Sequence, residues 1–465
     1  METRNIFENI NPFDHRYSYN KEIFDELGEY LSEKANIKYQ LKVELALVQA
    51  LNKMGLCSKE VVNEVKKAVE HITPEAAYKE ERKTKHNIRA LVNLIQEEIS
   101  DEAKPFIHLT ATSYDIVDTA NSLQYKEVTE DIILPKLKEL IELLSNLATQ
   151  EKETIQIGRT HGQHAVPVTF GFVLAGYVER LGLRYQEIKN KADKLKGKFS
   201  GACGTYNASS LFFNNPVEFE KTVMDELGIE AGDFSTQIVI AEYMTDFIHS
   251  IISTFGIIAN FSDDMRNLQR TEINEVGEFF SKDQVGSSTM PHKRNPINYE
   301  NIKSMWKRTM PQMNTVYMDQ ISEHQRDLSN SASSRFLPDI ITGFILSVER
   351  LIKVLKRFGI DRERMKENFN LHKEMIIAEP LYIILASQGH PDAHEAVRKL
   401  TLKAEESGKT PRELFYVLDE FGKYRDKLDD YQKKIIDNPE EYIGAAKERT
   451  EHIIKKWNKY FKEEK

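Results

Sequence analysis

Three stretches of the chain carry apolar residues at alternating spacings of four and three, and this pattern limits the fold more than any other feature. Such spacings place each set on one stripe of an α-helix, and narrow stripes are typical of helices that pack in bundles. An intramolecular bundle is sufficient to explain them, and helices this long also suit a bundle shared between subunits. The three sets are Ile133, Leu137, Leu140, Leu144 and Leu147; Ile248, Ile252, Phe255 and Ala259; and Ile341, Ile345, Val348, Ile352 and Leu355.

The composition supports long helices. Of 465 residues only 21 are Gly and 14 are Pro, so helix-breaking residues are sparse. Hydrophobic residues make up 40% of the chain and charged residues 29%, which is enough to bury a core and excludes a disordered, collagen-like or disulfide-stapled chain. No strand-like alternation runs over comparable lengths, although a short hairpin is compatible with residues 204–213. We therefore predict an all-α fold.

Two positions are candidate domain boundaries. A Thr/Ser/Asp cluster at Thr112 starts a new helical pattern, and Gly359 is expected to end the third striped helix. We predict a helical N-terminal domain (1–111), a central long-helix domain (112–364) and a helical C-terminal domain (365–465). The charged tail, 433–465, is expected to form a solvent-exposed terminal helix.

Charge and cysteine content limit the location and the partners. The formal net charge is −9 and no Lys/Arg block dominates, so nucleic-acid binding is not expected. Cys57 and Cys203 have no CxxC spacing, which argues against a disulfide framework or a cysteine zinc site and suits a reducing compartment. We see no apolar leader near the first residue, and the longest uncharged run, 160–178, contains two histidines, a glutamine and a proline. The sequence predicts a cytoplasmic protein without a membrane span.

The segment 286–296, GSSTMPHKRNP, carries the most chemistry. A Gly-Ser-Ser-Thr run followed by two prolines does not form interior helix, so we expect a mobile loop. Hydroxyls, Lys293, Arg294 and Asn295 lie within nine residues, which is a set suited to binding anions beside possible proton carriers. A solvated Ser-rich linker is the alternative, but a linker rarely holds so much directional polar chemistry between two prolines.

The segment 158–167, GRTHGQHAVP, offers an acid/base histidine. Pro167 is predicted to lie in the first turn of the following helix. His161 would then precede a positive helix end, a suitable place for a proton-transferring imidazole. Taken alone, His161 is better explained as a hydrogen-bonded structural residue. A metal site with His164 is disfavoured because no acidic or Cys partner stands at a recognised spacing, and His390-Pro-Asp-Ala-His394 is better explained as a helix start.

The segment 106–115, FIHLTATSYD, contains a helix start. Thr112, Ser113 and Asp115 are predicted to cap the helix that follows. Capping is compatible with ligand binding, because hydroxyls and amides at a helix start also hold anions. In isolation, Lys85-His86-Asn87 and Arg16-Tyr17 would usually be surface clusters.

Together these segments resemble a known family. GSSTMPHKRNP is similar to the signature loop of the fumarase/aspartase superfamily, a specific pattern. GRTHGQHAVP, ATSYDIVDTA and the 325–335 segment are similar to the adenylosuccinate lyases within it, and the likeness extends from Arg16 to Gly444. The resemblance implies a three-domain, all-α fold whose long central helix bundle is shared in a homotetramer.

The resemblance also implies a reaction, the β-elimination of fumarate from adenylosuccinate, giving AMP, and from SAICAR, giving AICAR. A proton leaves a carbon beside a carboxylate, so the charge that develops needs fixed donors and cations. The departing nitrogen needs a proton from a general acid. The implied partners are these small molecules, and no metal or organic cofactor is implied.

By this resemblance, Ser287 is the general base and His161 the general acid. Lys293 would stabilise the serine alkoxide. Glu300 matches the carboxylate that the superfamily pairs with the catalytic histidine, although an ordinary helix-surface glutamate has the same appearance in sequence.

The binding residues are carried over in the same way. Those matching nucleotide and phosphate positions are Arg16, Tyr17, Arg326, Ser331 and Arg335, with Ala332, Ser333 and Ser334 beside them. Those matching contacts to the succinyl carboxylates are Thr112, Ser113, Gln237, Ser288, Lys293 and Asn295, and the neighbouring Arg294 and Asn301 join them. Lys85, His86 and Asn87 match the segment beside the base and the reacting nitrogen; Asn87 stands where the family usually has Asp, so it keeps an oxygen acceptor and loses the charge.

Two other hypotheses remain open. Another lyase of the superfamily, such as an argininosuccinate lyase, would not need the phosphate set of Arg16, Arg326 and Arg335. A non-catalytic helical scaffold of the same fold would be expected to have lost Ser287 or His161, and both are present.

Overall fold

The computed structural model describes residues 6–18, 21–279, 289–290 and 292–464, and over them the chain is mostly α-helical, as predicted. The helices are α1 (Lys21–Leu31), α2 (Glu33–Lys53), α3 (Lys59–His71), α4 (Pro74–Thr84), α5 (Asn87–Glu97), α6 (Ser113–Val128), α7 (Leu134–Gln150), α8 (Phe170–Asp193), α9 (Pro216–Leu227), α10 (Ala241–Leu268), α11 (Ile297–Thr309), α12 (Gln312–Met318), α13 (Leu337–Leu355), α14 (Arg362–Asn370), α15 (Lys373–Ile376), α16 (Ala378–Ser387), α17 (Ala393–Ser407), α18 (Pro411–Val417), α19 (Gly422–Arg425), α20 (Asp430–Asp437) and α21 (Ala446–Glu463). The strands are β1 (Ile155–Thr160), β2 (Gln163–Thr169), β3 (Lys196–Gly197), β4 (Glu230–Ala231), β5 (Val276–Gly277) and β6 (Gly359–Ile360). Among the described residues, no helix is long and apolar enough to cross a membrane.

The three apolar stripes lie on long helices, as their spacing predicts. The first runs along α7 from a π-helical turn, Thr129–Ile133, and the other two lie on α10 and α13. All stripe residues are buried except Leu147, which is half-buried. Phe255 and Phe344 pack edge to face with ring centroids 5.7 Å apart, so the stripes of α10 and α13 meet.

The chain divides into two compact units. Unit 1 comprises Met1–Leu137, Leu183–Gly256 and Ser304–Glu349, and unit 2 comprises Lys138–Gly182, Ile257–Lys303 and Arg350–Lys465. The apolar core of unit 1 draws chiefly on α2, α3, α5, α6 and α9, whereas a main core of unit 2 is built from α16 to α20. The three domains expected from the sequence are consecutive stretches of the chain, whereas each unit combines three separate stretches. The three-domain division stays a prediction.

Unit 2 contains a β-hairpin that the sequence analysis missed. β1 and β2 pair antiparallel, with Ile155 opposite Thr169 and Thr160 opposite Gln163. The turn is His161-Gly162, and both residues have positive φ (54° and 75°), as a two-residue hairpin turn of the primed type requires.

The prediction for Pro167 is therefore wrong, and the hairpin that was compatible with residues 204–213 is not formed. Pro167 lies in β2 opposite Ile157, and α8 begins only at Phe170. A strand tolerates proline where the missing N–H is not needed for pairing, here beside a bulge at Gly158, where a Cβ would lie 2.6 Å from the Val166 carbonyl oxygen. Residues 204–213 form turns and a short 3-10 helix, Ser209–Leu211, rather than a hairpin.

The C-terminal helix is packed rather than solvated. α21 buries Trp457, whose Nε1 donates a hydrogen bond to the Glu179 carboxylate at 2.7 Å. The charged face of α21 explains why the sequence suggested an exposed tail, since only one apolar stripe faces inward. Upstream, α13 ends at Leu355, and Gly359 pairs with Gly277 in the β5–β6 ladder instead of ending that helix.

The contact between α8 and α21 yields a stability prediction. A Cβ at Gly182 would lie 2.2 Å from the Trp457 indole, whereas a Cβ at Gly28 in α1 would meet nothing within 4 Å. We expect Gly182→Ala to lower the free energy of unfolding by about 1–3 kcal/mol through overpacking. Gly28→Ala is the control and should raise it by roughly 0.5–1 kcal/mol, because alanine favours the helix. Chemical denaturation of both variants checks this, and equal stability of Gly182→Ala and the parent would contradict the packing.

Candidate active site

Unit 1 contains a cleft of about 730 Å³. It is lined at the starts of α5 and α6, in the loop before α10, and in the segment that leads into α13. The sequence-predicted binding residues among its lining are Lys85, His86, Asn87, Ser113, Gln237, Ser331, Ser334 and Arg335. Segments separated by up to 250 residues in sequence thus meet in one cleft, and most of them supply polar or charged groups.

His86 is held in a defined orientation. It is the N-cap of α5, and its Nδ1 accepts a hydrogen bond from the Arg89 N–H at 3.2 Å. Because that lone pair is occupied, a neutral His86 carries its proton on Nε2, which lies 3.4 Å from Ser113 Oγ. Lys85 precedes it in a left-handed conformation, and Asn87 is the first residue of α5.

The start of α6 positions Ser113. The Thr112 N–H donates to Asp115 Oδ2 at 2.8 Å, as the predicted cap requires. Asp115 is fully buried in an ion pair with Lys198 and also accepts a hydrogen bond from the Gly201 N–H at 3.3 Å. Burial raises the pKa of Asp115, while the Lys198 ammonium opposes that rise. Two buried charges therefore fix where the helix begins.

Arg326 lies beside the cleft on a smaller cavity of about 110 Å³. Its guanidinium stacks on the Tyr114 ring at 4.2 Å from the centroid and donates a hydrogen bond to the Tyr114 hydroxyl. Arg326 Nε and Asn330 Oδ1 are buried and find no hydrogen-bond partner among the described residues. The stacking holds the arginine in place and leaves donors for a ligand or water.

Asp118 also lines this cavity. Its Oδ2 accepts a hydrogen bond from the Val239 N–H at 2.9 Å. Burial raises the pKa of Asp118 to about 6, against the lowering effects of the Val239 N–H, Lys198 and Arg326. Neither Asp118 nor Tyr114 was predicted from the sequence to have a role; their spacing of four on one helix face was the available signal.

The remaining unit 1 residues lie apart from the cleft lining. Tyr17 packs on the buried Phe13 with ring centroids 5.7 Å apart, and the Arg308 guanidinium lies over the Phe13 ring, 5.0 Å from its centroid. Arg16 is exposed. Ser333 Oγ donates to the Asp319 carboxylate at 2.7 Å and Ala332 is exposed, so both shape the turn that carries Ser331, Ser334 and Arg335.

The other predicted site residues belong to unit 2. His161 is exposed at the tip of the β1–β2 hairpin, and Lys293 and Arg294 are exposed in the segment before α11. Asn295 is half-buried there, and Glu300 and Asn301 lie near the start of α11. Ser287 and Ser288 lie outside the described residues.

A buried glutamate anchors the hairpin. Glu275 accepts hydrogen bonds from Gln156 Nε2 at 2.6 Å, Arg159 Nη2 at 2.6 Å and Asn368 Nδ2 at 2.8 Å. His164 Nδ1 lies 3.1 Å from His372 Nδ1, and burial together with Arg159 and His372 lowers the pKa of His164. The base of the hairpin is therefore fixed while its tip presents His161.

A second buried glutamate caps α11. Glu278 accepts hydrogen bonds from the Asn298 and Tyr299 N–H groups at 2.9 and 3.0 Å. Burial raises the pKa of Glu278, and these hydrogen bonds oppose the rise. The cap orients the helix that carries Glu300. Within the described part of one chain, Glu300 and His161 form no hydrogen bond with each other, so their pairing stays a prediction.

Among the described residues, no group of three or more His, Cys, Asp or Glu side chains could hold a metal ion. His390 Nδ1 accepts a hydrogen bond from the Asp392 N–H at 3.1 Å, and Asp392 caps α17. The 390–394 segment is thus a helix start, as predicted.

Comparisons with known proteins match almost the whole chain. A family model described as lyase matches residues 16–310, and one described as adenylosuccinate lyase C-terminal matches residues 322–434. Adenylosuccinate lyase from Pyrococcus abyssi is 35% identical over 96% of this chain and 97% of its own length, and that from Archaeoglobus fulgidus is 32% identical over 97% and 100%.

Solved structures share the fold. A 3-carboxy-cis,cis-muconate lactonizing enzyme from Pseudomonas putida matches with a TM-score of 0.81 at 24% identity, covering 94% of this chain and 98% of that one. A fumarate lyase from Mesorhizobium sp. BNC1 matches with a TM-score of 0.81 at 21% identity, covering 92% and 97%. At these identities the likeness concerns the fold alone.

The raised pKa of Asp118 predicts that its charge lowers the free energy of unfolding by an amount that depends on pH. Because the folded-state pKa is raised to about 6, the folded protein binds the proton more tightly, and the free energy of unfolding falls as the pH rises from about 4 to 6. Asp118→Asn removes that cost, so we expect the variant to have a higher melting temperature than the parent at pH 8. The expected gain in the free energy of unfolding is up to about 3 kcal/mol, because one pKa unit corresponds to about 1.4 kcal/mol. Thermal unfolding at pH 5 and pH 8 checks this. The gain should be larger at pH 8, and a lower melting temperature there would contradict it.

Proposed function

The chain belongs to the adenylosuccinate lyase family, and we propose how its residues carry out the family reaction. It is a carbon–nitrogen lyase that eliminates fumarate from adenylosuccinate and leaves AMP. We extend the proposal to SAICAR, which would give AICAR and fumarate at the same site. The observation that carries the residue assignment is the unit 1 cleft, which gathers the predicted binding residues from distant segments.

The cleft suits an elongated anion. Arg335 and the hydroxyls of Ser331 and Ser334 lie at one set of lining segments, and Ser113 and Gln237 at another. We assign the arginine and its serines to the phosphate end, because a guanidinium forms paired hydrogen bonds with phosphate. Arg326, held on Tyr114, joins that end. Ser113 and Gln237 receive the succinyl carboxylates, where the developing negative charge needs fixed donors.

Two proton transfers complete the reaction. We assign the removal of the proton beside the carboxylate to Ser287, with Lys293 stabilising its alkoxide, and protonation of the departing nitrogen to His161. Glu300 is assigned to orient that histidine. Ser287 lies outside the described residues, so its role rests on the match of its motif alone.

His86 and Asn87 are assigned to the region of the reacting nitrogen. The N-cap hydrogen bond leaves Nε2 of His86 as the atom available to the cleft. Asn87 offers an amide oxygen without a charge, so His86 lacks the neighbouring carboxylate that the family usually has. We propose that His86 acts as a hydrogen-bond donor through Nε2 here.

We also propose that the active protein is a cytoplasmic homotetramer in which different chains supply each site. His161 and the cleft residues lie on different units, and His161 is exposed in its own chain. The long apolar stripes suit helices that pack in a shared bundle. Cys57 and Cys203 are unpaired, which suits a reducing compartment.

Turnover of adenylosuccinate tests the function directly. We expect the purified protein to convert adenylosuccinate to AMP and fumarate, and SAICAR to AICAR and fumarate, without added metal. Argininosuccinate is the control substrate and should not react, because it lacks the phosphate that Arg326 and Arg335 are assigned to bind. Product analysis by chromatography separates these outcomes. Turnover of argininosuccinate without turnover of adenylosuccinate would contradict the assignment of adenylosuccinate as the substrate.

Substitution of the proton-transfer residues tests the mechanism. We expect Ser287→Ala and His161→Gln each to lower kcat by at least about 10²-fold, the usual contribution of a proton-transfer group, while the oligomer stays intact. Near-normal kcat in either variant would remove that residue from its role. Size-exclusion chromatography of each variant is the control for assembly.

Mixing variants tests the assembly. If His161 and the cleft come from different chains, refolding His161→Gln with His86→Ala at equal amounts should restore about a quarter of the parent activity, because random pairing leaves that share of sites intact. If one chain supplied both, the mixture would stay inactive.

A further inference from the structure

Asp118 is a carboxylate that the proposed mechanism does not use, and it lies where two binding segments meet. It stands on α6, five residues after Ser113. Its Oδ2 holds the Val239 N–H at 2.9 Å, two residues from Gln237. It also lines the 110 Å³ cavity with Arg326. One side chain therefore binds the loop that carries Gln237 and lines the cavity that Arg326 also lines.

The Gln237 loop is narrow and tied at two points. Ser235 and Val239 form an isolated bridge, so the three residues between them make a tight turn. The Val239 N–H is bound by Asp118, and the Gln237 N–H donates to the Gln325 carbonyl at 3.4 Å. Loss of the Asp118 tie would free the side of the loop that faces α6.

The cavity beside Arg326 is lined by charged groups of both signs. Tyr114 and Asp118 are four residues apart and share a helix face, so the ring that stacks on Arg326 and the carboxylate border the same space. Asp319 lines the cavity too, and Lys198 and Asp115 act on Asp118 from within unit 1. The buried Arg326 Nε and Asn330 Oδ1 lack protein partners among the described residues, and the cavity has room for water that bridges them.

We propose that Asp118 is a positioning residue that ties the Gln237 loop to α6 and, across the cavity that both residues line, orients Arg326, so that the succinyl and phosphate ends of the substrate are held at a fixed separation. This inference rests on the proposed function for the assignment of those two ends. The tie itself is a property of the free protein. Asp118 touches neither end and acts through Gln237 and Arg326.

The cost of the charge supports a functional role. A neutral isostere would keep an acceptor for the Val239 N–H and avoid the penalty of an ionised group in this environment. What an amide cannot reproduce is the attraction of a full charge for Lys198 and Arg326. The Asp118 carboxylate lowers stability and attracts a neighbouring arginine. This combination is typical of a residue kept for function at the expense of stability.

Two substitutions separate the two parts of the role. Asp118→Asn keeps an oxygen for Val239 but removes the charge, so we expect the KM for adenylosuccinate and the inhibition constant of AMP to rise about tenfold, a typical coupling between neighbouring charged groups. Its kcat and its inhibition constant for fumarate should stay within about twofold. Asp118→Ala removes the acceptor as well, so inhibition by fumarate should also weaken. Asp225→Asn, an exposed aspartate of α9, is the matched control and should change none of these.

Amide hydrogen exchange tests the tie without substrate. The Val239 N–H should be protected in the parent protein and in Asp118→Asn, and should lose protection in Asp118→Ala. Unchanged inhibition by AMP in Asp118→Asn, or persistent protection of Val239 in Asp118→Ala, would overturn the proposal. If Asp118→Ala does not fold, Asp118→Asn alone decides through the split between AMP and fumarate. If the parent lacks turnover, the proposed function has failed, and the exchange experiment still decides on the tie.

Discussion

The buried ion pair between Asp115 and Lys198 determines where α6 begins, and much of the cleft follows from that point. Both side chains are almost fully inaccessible, and Asp115 also holds the Thr112 and Gly201 N–H groups. Removing one partner of such a pair leaves an uncompensated buried charge, at a cost of about 3–5 kcal/mol. Because the first two turns of α6 carry Ser113, Tyr114 and Asp118, a shift of the helix start would move side chains that line the cleft and the neighbouring cavity.

The all-α fold could be predicted from the sequence because apolar spacing reports burial directly. The stripes on α7, α10 and α13 are buried since a helix of this length must hide one face. The β1–β2 hairpin could not be predicted in the same way. Its strands are short, Pro167 resembles a helix start, and its turn depends on two left-handed residues, His161 and Gly162. Similarly, the 433–465 tail is charged on one face only, and its packing on α8 depends on the lack of a side chain at Gly182.

The site was predictable where a motif is contiguous and less so where it is assembled. Family resemblance located His86, Ser113, Gln237 and Arg335, which the structure gathers around one cleft. Three buried acidic residues were missed, Asp118 in unit 1 and Glu275 and Glu278 in unit 2, because nothing in the local sequence distinguishes them from exposed acids. Each becomes distinctive only when its burial and its N–H partners are known. Ser287 and Ser288 lie outside the described residues, so the assignment of the base still depends on the motif alone.

Several non-glycine residues with a left-handed backbone lie next to the predicted site residues and next to Glu275. Hydrogen-bond acceptors are needed there to hold this unfavourable conformation. Among the described residues, non-glycine positions with positive φ include Lys85 next to His86, His161 itself, Asn274 next to Glu275, and His324 close to Arg326. A left-handed conformation costs an L-residue roughly 1–2 kcal/mol and persists only where neighbours over-determine it. The four hydrogen bonds to the Glu275 carboxylate and the N-cap of His86 provide that determination locally. The chain therefore stabilises these segments with polar contacts, buried at Glu275 and exposed at His86, so that the side chains predicted for the site are held in place by the protein itself.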